Sequence, residues 1–385
     1  MAPVSDGPFD VGIVGAGIVG ASCAYWATRE GLSVVVVEAR EPAGGTTGAG
    51  MGHVVALDRS EPALLLARYS QRLWQELAPS LPAAVGYRAA GTLWVAATPD
   101  DLARAEARRD GLRRHGIPAE MVDATFLARE EPALRSGLAG GLLVPEDALL
   151  VPAEATRALL ARAEEHGARV LAHRPVLRLA AGTIETVSGP ALRARRIVNA
   201  AGVDAPRLSP QVPIAPRKGT LVRLGVPGVP IHHQLVELGY RESVGAPDPV
   251  SVVFNAQPEP GGTVLLGASR EWGATDTSVD PAVTGRLRRR ALDFAPLLGS
   301  RTTVAAWSGL RPATPDHLPW IGPLPGGDDL WVAAGHEGLG ITASLGTGRL
   351  LVDLLLGRPP ALSPTPYLPD ARRVPGPDGP PTGGR

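Results

Sequence analysis

The chain has 385 residues, with 38 Lys or Arg, 38 Asp or Glu and a single cysteine. This length predicts about two domains with a sizeable buried core. Balanced charge gives no electrostatic reason to expect nucleic acid or an anionic membrane surface as a partner. The single cysteine excludes an intramolecular disulfide and any multi-cysteine metal site, and we expect Cys23 to pack as a small apolar residue.

The chain shows no sign of a membrane span or a metal centre. No basic segment followed by an apolar core opens it, and no stretch approaches the roughly eighteen consecutive apolar residues of a transmembrane helix. We therefore expect a cytoplasmic protein without a transmembrane segment. His232 and His233 are adjacent but have no His, Cys or acidic neighbours at ligand spacing, so we predict no metal site.

A glycine-rich turn stands near the start of the chain. GAGIVG (residues 15–20) follows an apolar strand and opens a helix to about Glu30, and a second strand (Ser33 to Val37) then leads to Glu38. The free N–H groups and the dipole of such a helix attract phosphates. An acid at this spacing accepts hydrogen bonds from a ribose and repels a 2'-phosphate. The segment therefore predicts a dinucleotide-binding βαβ unit for FAD or NAD.

The next part of the chain leaves the βαβ order. Residues 42–54 form a loop rich in glycine and threonine, which can wrap closely around a second part of the ligand. Apolar spacing predicts a helix at Glu61–Leu81, with Leu65 on its apolar stripe. From Val85 to Leu150 strands and helices no longer alternate regularly, which indicates a mixed or antiparallel sheet.

The βαβ order returns with a helix at Ala153–His166. A later apolar strand ends in VNAAG, where Ala200 and Gly202 either contact the ligand at the carboxyl edge of the sheet or form a tight turn. Alternating segments separated by Pro and Gly then predict further antiparallel strands between residues 218 and 269.

A second glycine-rich turn precedes the last helix. It contains Gly335, Gly338 and Gly340, and the dipole of the helix behind it can stabilise negative charge on an isoalloxazine ring. A nicotinamide enzyme does not need this second turn. Shortly before this turn, the planar guanidinium of Arg311 can donate two parallel hydrogen bonds to a substrate carboxylate. An ion pair with Asp316 is the alternative role for this arginine.

Six segments in order resemble the FAD-dependent D-amino-acid-oxidase-like oxidoreductases: GAGIVG with Glu38, GGTTGAG, VNAAG, LLGASRE, GLRPATPD and GHEGLGIT. This family includes glycine and sarcosine oxidases, D-amino-acid and D-hydroxyproline dehydrogenases, and subunits of opine oxidase and hydrogen cyanide synthase. The resemblance extends to about Arg358. It implies an α/β fold in which a Rossmann-like FAD-binding domain of glutathione-reductase type is interleaved with an α+β substrate domain on an antiparallel or mixed sheet.

The resemblance also implies site residues. It makes Arg311 the clamp for the substrate carboxylate. FAD contacts are expected from Gly15, Ala16, Gly17, Ile18, Val19, Gly20, Glu38, Ala39, Arg40, Thr46, Thr47, Val176, Ala200, Gly202, Gly335, His336, Gly338, Leu339, Gly340 and Ile341. Tyr240, Arg241, Arg270 and His53 are further candidates for the pocket, with packing or surface roles equally open.

Differences from the subfamily patterns narrow the expected mode of flavin binding and the expected branch of the family. Gly309 and Ala49 stand where related subfamilies carry flavin-linking residues, so we expect noncovalent FAD. Gly338 stands where glycine oxidase has an arginine. LLGASRE and GHEGLGIT look closer to the hydroxyproline, opine and cyanide-synthase branch, whose members often work beside partner subunits.

The expected domain division follows the same resemblance. The FAD domain comprises residues 1–84, 151–216 and 305–358, and the substrate domain residues 85–150 and 217–304. Residues 359–385 are rich in Pro and Gly with few apolar side chains, which predicts a disordered tail.

The predicted function is FAD-dependent oxidation of the C–N bond of a small amino acid to an imine by hydride transfer to flavin. The substrate is a D-amino acid, glycine, or a cyclic or N-substituted amino acid. The electron acceptor is O2, a quinone or a partner subunit, and the chain is a candidate for homo- or hetero-oligomers. The alternatives are an NAD-dependent dehydrogenase and a catalytically silent flavoprotein subunit of a hetero-oligomeric complex.

Overall fold

A computed structural model describes residues 8–57, 60–226, 228, 231–240, 250–326 and 329–369, with only the backbone of Tyr240. Arg241 lies outside the described residues. The strands are β1 (Phe9–Val14), β2 (Val34–Val37), β3 (His53–Val54), β4 (Thr92–Ala96), β5 (Glu120–Asp123), β6 (Gly140–Val144), β7 (Ala148–Leu149), β8 (Arg169–Leu171), β9 (Val176–Ala180), β10 (Thr183–Thr186), β11 (Leu192–Asn199), β12 (Ala215–Gly225), β13 (Gln234–Glu237), β14 (Val250–Glu259), β15 (Thr263–Trp272), β16 (Thr303–Ala313), β17 (Trp320–Pro323) and β18 (Leu330–Ala334). The helices are α1 (Ile18–Arg29), α2 (Glu61–Leu77), α3 (Pro99–Arg114), α4 (Ala124–Glu130), α5 (Pro152–Glu165), α6 (Ala205–Leu208), α7 (Pro281–Phe294), α8 (Pro296–Gly299) and α9 (Gly340–Leu355).

The first sheet is built around β1 in the order β17-β18-β11-β1-β2-β8, with the β9–β10 hairpin beside β11. β1, β2, β8, β11 and β18 run parallel. The four valines of β2 are fully buried, as expected for a parallel strand that is covered on both faces. The core that includes α1, α5 and α9 contains Cys23, which is 1% exposed. The predicted packing role of this cysteine is confirmed.

The second sheet has the order β16-β12-β15-β14-β13-β4-β6-β5. Its neighbouring strands pair antiparallel except β13 and β4, which are parallel. The helix α7 packs on this sheet through Val283, Leu287 and Phe294. The predicted α/β fold with a mixed second sheet is therefore confirmed.

The position of β16 changes the expected boundary at residue 305. This strand pairs with β12 from Leu224↔Thr303 to Ala215↔Ala313, so it belongs entirely to the second sheet. Pro312 is compatible with this pairing because β16 is an edge strand, where a missing N–H is tolerated. We propose the same interleaved division into two domains, with the last segment of the FAD domain starting after Ala313.

Two local predictions are wrong. Leu65 is 39% exposed and does not lie on the buried stripe of α2. Residues 359–369 are ordered, because Tyr367 is 1% exposed in the first core and its hydroxyl donates to the backbone oxygen of Pro62 at 2.7 Å. The rest of the predicted tail lies outside the described residues.

Tyr367 should anchor this C-terminal segment. Tyr367→Ala removes a buried aromatic ring, and we expect it to lower the free energy of unfolding by about 3–5 kcal/mol. Tyr367→Phe removes only the hydrogen bond and should cost about 1 kcal/mol. Denaturant unfolding of the two variants checks this order. Equal, negligible losses would show that residues 359–369 do not contribute to the core.

Candidate active site

A cavity of about 790 Å³ lies between the two sheets. Most of the predicted cofactor residues line it: Gly15, Gly17, Ile18, Val19, Glu38, Ala39, Arg40, Thr46, Thr47, Val176, Ala200, Gly202, Gly335, His336, Gly338, Gly340 and Ile341. Ala16 and Gly20 are buried and do not line it, and Leu339 packs against the apolar cluster that includes Trp94 and Leu142. One concave site thus gathers segments separated by more than 300 residues of sequence.

The first glycine turn depends on backbone contacts that no side chain would permit. A Cβ on Gly20 would lie 1.9 Å from the carbonyl oxygen of Gly15. Gly15 itself has a φ of +108°, and its Cβ would lie 2.5 Å from the oxygen of Ala200. These contacts bring the N-terminus of α1 to the cavity, where its N–H groups and dipole favour an anion.

Glu38 lies at the carboxyl end of β2 and faces the cavity. Its Oε2 accepts from the N–H of Ala16 at 2.8 Å, and its Oε1 accepts from the N–H of Arg40 at 2.9 Å. Both bonds hold the carboxylate beside the first glycine turn. This is where an acid accepts the hydroxyls of an adenosine ribose.

The second glycine turn is held by a buried ion pair. Gly335 has a φ of +88°, and a Cβ there would lie 2.4 Å from Cγ2 of Thr314. Glu337 follows with a φ of +47°, and its Oε2 lies 3.0 Å from Nη2 of Arg217 on β12, with both side chains 1% exposed. Oε1 of Glu337 lies 2.7 Å from Nδ1 of His317. The turn is thereby tied to the second sheet while α9 directs its N-terminus at the cavity.

Two histidines on the cavity wall are weak bases. Burial lowers the pKa of His336 to about 3, and its Nε2 lies 2.9 Å from Oγ1 of Thr347. Burial also lowers the pKa of His53 to about 4, against a smaller opposing effect of the Gln257 side chain. Both imidazoles are therefore neutral at pH 7. They are suited to hydrogen bonding rather than to accepting a proton.

Arg311 lies on β16 at the cavity wall. Its Nη1 donates to the backbone oxygens of Ser269 at 3.0 Å and Lys218 at 3.4 Å. A Cβ on Gly219 would lie 2.1 Å from Nη1, so the guanidinium fits only because residue 219 is glycine. Its Nε also lies about 4.0 Å from where a Cβ on Gly338 would be. The guanidinium thus lies beside the second glycine turn.

The remaining candidates from the sequence are Arg270 and Tyr240. Arg270 is 4% exposed and is not among the described residues that line this cavity. Ala268, two residues earlier in β15, does line it. The place of Arg270 in the substrate pocket stays a prediction. The side chain of Tyr240 lies outside the described residues.

Sequence reasoning missed several wall residues, among them Met51, Leu221, Asn255 and Trp307. A signal for Asn255 was present, because Asn255 and Gln257 are polar at alternate positions of β14. Alternation places them on one face of β14. That pattern does not give the order of the strands in the sheet. It therefore could not show that this face of β14 lines the cavity.

Gly309 and Ala49 are neighbours in the folded chain. A Cβ on Gly309 would lie 2.6 Å from Cβ of Ala49. Any side chain at position 309 would therefore displace the loop that carries Ala49. The two positions at which the family resemblance leads us to expect no flavin link are thus packed against each other.

The comparisons with known proteins agree with this geometry. A family model described as FAD dependent oxidoreductase matches residues 10–354. The chain is 29% identical to a glycine oxidase of Geobacillus kaustophilus, covering 93% of this chain and 96% of the relative. It is 26% identical to a D-amino acid dehydrogenase of Paramagnetospirillum magneticum, covering 91% and 96%.

Solved structures show the same architecture. A crystal structure of glycine oxidase from Geobacillus kaustophilus superposes with a TM-score of 0.85 at 26% identity, covering 95% of this chain and 99% of that chain. The crystal structure of iminodiacetate oxidase from Chelativorans sp. BNC1 gives a TM-score of 0.80 at 28% identity, covering 93% and 98%.

Fold and site define a flavin-dependent oxidoreductase. The chain belongs to the FAD dependent oxidoreductase family, and FAD is its cofactor. The alternative of an NAD-dependent dehydrogenase is therefore wrong. Within the described ranges, no helix is long and apolar enough to cross a membrane. The same residues contain no cluster of three or more His, Cys, Asp or Glu arranged to hold a metal ion.

Glu38 can be tested by charge reversal. Glu38→Lys should weaken FAD binding by about tenfold to a hundredfold for each ribose hydrogen bond that is lost, because a charge-assisted hydrogen bond contributes roughly 1.5–3 kcal/mol. Glu41→Lys changes the charge equally at a largely exposed carboxylate that is not on the cavity wall. Flavin fluorescence quenching gives both dissociation constants. Equal affinities in the two variants would remove Glu38 from the ribose site.

His336 should make the fold sensitive to acid. Burial depresses its pKa from 6.5 to about 3, so the unfolded chain binds the proton first as the pH falls below about 6.5. Stability should then fall by about 1.4 kcal/mol per pH unit from this group. His336→Asn removes this titration and should give a shallower slope between pH 6 and 4 in denaturant unfolding. His166→Asn, at an exposed position, should keep the parental slope.

Proposed function

We propose that this protein oxidises the C–N bond of a small amino acid to an imine. The substrate is a D-amino acid, glycine, or a cyclic or N-substituted amino acid. The names of the relatives support this class, since they include glycine oxidase, D-amino acid dehydrogenase and iminodiacetate oxidase. The observation that carries the proposal is the guanidinium of Arg311 on the wall of the cavity.

The surroundings of Arg311 suit a carboxylate clamp. The bonds from Nη1 to two backbone oxygens fix the plane of the guanidinium before a ligand arrives. A planar fork can donate two parallel hydrogen bonds to a carboxylate and stays charged at any working pH. Pre-orientation also lowers the entropy lost when the substrate binds. Arg311 would therefore hold the carboxylate beside the second glycine turn.

The chemistry demands little from titrating side chains. When bound, FAD would supply the hydride acceptor for the α-carbon of the substrate, and the residues of the cavity would orient that carbon and exclude water. Arg311 orients the carboxylate, and the apolar groups of Met51, Leu221 and Trp307 cover the wall. The N-terminus of α9 favours negative charge near this end of the cavity. Neutral His53 and His336 fit a site that needs no strong base.

We infer that the predicted cofactor residues on the cavity wall hold FAD without a covalent link. The N-terminus of α1 would face the pyrophosphate, Glu38 the ribose, and the turn from Gly335 to Ile341 the flavin. Support comes from the cradle that the glycines form and from the packing of Gly309 on Ala49. The electron acceptor is O2, a quinone or a partner subunit.

A silent flavoprotein subunit is the competing function. It would bind FAD that no amino acid reduces. Anaerobic mixing of the purified holoenzyme with a panel of amino acids separates the two cases, because oxidation bleaches the flavin absorbance. Bleaching by at least one small amino acid supports the proposed function, and a panel without effect contradicts it.

Substitution of Arg311 tests the clamp. Arg311→Lys keeps the charge but loses the fork, and Arg311→Met loses both. We expect kcat/KM to fall in the order Arg, Lys, Met, by about tenfold for each 1.4 kcal/mol of lost transition-state stabilisation. Amines without a carboxylate should be poor substrates and nearly indifferent to the change. Parental kcat/KM in Arg311→Met would place the carboxylate clamp elsewhere.

A further inference from the structure

A chain of polar side chains connects a buried carboxyl group to the loop at residues 48–51. This loop lies between the FAD cavity and a second cavity of about 500 Å³, because Gly48, Gly50 and Met51 line both. The chain begins at Asp147, which is 1% exposed, and ends on the backbone oxygen of Met51. The links between them are Thr92, Gln234, His53 and Gln257.

The direction of hydrogen bonding along the chain is fixed at Met51. A backbone oxygen only accepts, so Gln257 contacts it with Nε2, at 2.6 Å, and has Oε1 left for its hydrogen bond with His53. A neutral His53 must then donate from Nε2 and accept at Nδ1. Nε2 of Gln234 lies 3.2 Å from this Nδ1 and donates to it. The links therefore donate in the direction of Met51.

The same direction requires a proton on Asp147. Oε1 of Gln234 faces Thr92, whose Oγ1 donates to it at 3.4 Å. A hydroxyl has one proton, so Thr92 can only accept from its other partner, the carboxyl group of Asp147. Oδ1 of Asp147 already accepts from the N–H of Ala56 at 2.9 Å and from Nε2 of Gln71 at 3.1 Å. A proton on Oδ2 completes the chain.

The surroundings of Asp147 allow it to hold this proton close to neutral pH. Burial raises the pKa of Asp147 to about 6, against the hydrogen bonds from its neighbours and the charge of Arg108 on α3. The adjacent Glu146 is paired with Arg68. Burial raises the pKa of the nearby Tyr87 to about 12, so this phenol stays neutral. Of these groups, Asp147 is the one that changes its charge around pH 6.

We propose that Asp147 is a proton switch for the loop at residues 48–51. Protonated Asp147 completes the chain and holds Met51 on β14 of the second sheet. An ionised carboxylate only accepts, so either two acceptors meet at Thr92 or every link reverses and Oε1 of Gln257 faces the oxygen of Met51. Both outcomes weaken the hold on the loop. Because the loop lines the FAD cavity, the protonated form should bind FAD more tightly. The switch does not depend on which substrate is oxidised.

The pH dependence of FAD binding tests the switch. Flavin fluorescence quenching gives the dissociation constant of FAD between pH 5 and pH 8. For the parent it should rise about fivefold as the pH increases through about 6, which corresponds to one net hydrogen bond. Asp147→Asn keeps Oδ1 and always donates to Thr92 from Nδ2. This variant should bind FAD at every pH as the parent does at pH 5.

Two further variants separate the chain from a general effect of charge. Thr92→Val keeps the shape of the side chain and the titrating carboxyl group but breaks the chain. It should bind FAD at every pH as the parent does at pH 8. Asp110→Asn makes the same change as Asp147→Asn at an exposed carboxylate, and should keep the parental pH dependence. If Asp147→Asn does not fold, Thr92→Val decides the question.

The imidazole of His53 reports the direction of the chain. Burial lowers its pKa to about 4, so it is neutral at pH 5. In holoenzyme labelled with ¹⁵N in the histidine rings, its shifts at pH 5 should show the proton on Nε2, and loss of the signal in His53→Gln assigns it. A proton on Nδ1 would overturn the inference. So would equal FAD affinity of the parent at pH 5 and pH 8, or parental pH dependence in Asp147→Asn or Thr92→Val.

Discussion

The close approach of α1 to its neighbours is the constraint on which the site depends. Gly20 rests on the carbonyl oxygen of Gly15, and Gly348 of α9 rests on the backbone of Ser22, where a Cβ would lie 2.6 Å from the oxygen. With side chains at these positions the helix would be pushed off β1 and off α9. Because both contacts are between backbones, the N-termini of α1 and α9 reach one cavity.

The cavity is also the interface between the two sheets, and long-range polar contacts hold it together. Oγ1 of Thr46 donates to the backbone oxygen of Leu310 at 2.6 Å, and Nε1 of Trp307 donates to that of Ala49 at 3.3 Å. The ion pair of Arg217 and Glu337 joins β12 to the second glycine turn. Breaking such a buried pair by removing one partner typically costs about 3–5 kcal/mol. The relative position of the two sheets around the cavity is therefore set by contacts within the chain.

The electrostatic character of the site matches a reaction that depends on position. The guanidinium of Arg311 carries a permanent charge on the cavity wall, while burial lowers the pKa of His53 to about 4 and the pKa of His336 to about 3. Such imidazoles stay neutral over the working range of pH. Orientation and hydrogen bonding, rather than proton transfer by these groups, are what this wall supplies.

The sequence alone determined the features that arise from short-range spacing. The secondary structure from Gly15 to Glu38 could be predicted, because a strand, a tight turn and a helix follow one another within one βαβ unit. The second glycine turn before α9 was readable for the same reason. Arg311 could be selected by its chemistry, and the structure places it on the cavity wall.

Only the tertiary structure decided which distant segments meet. Strand register assigned β16 to the second sheet. One aromatic ring, Tyr367, ordered a segment whose composition indicated disorder. Asn255 lines the cavity, and Glu337 pairs with Arg217, which lies 120 positions earlier in the sequence. Such contacts depend on the order of the strands and on packing. Local periodicity does not encode them, because it shows on which face of an element a side chain lies but not which other element packs against that face.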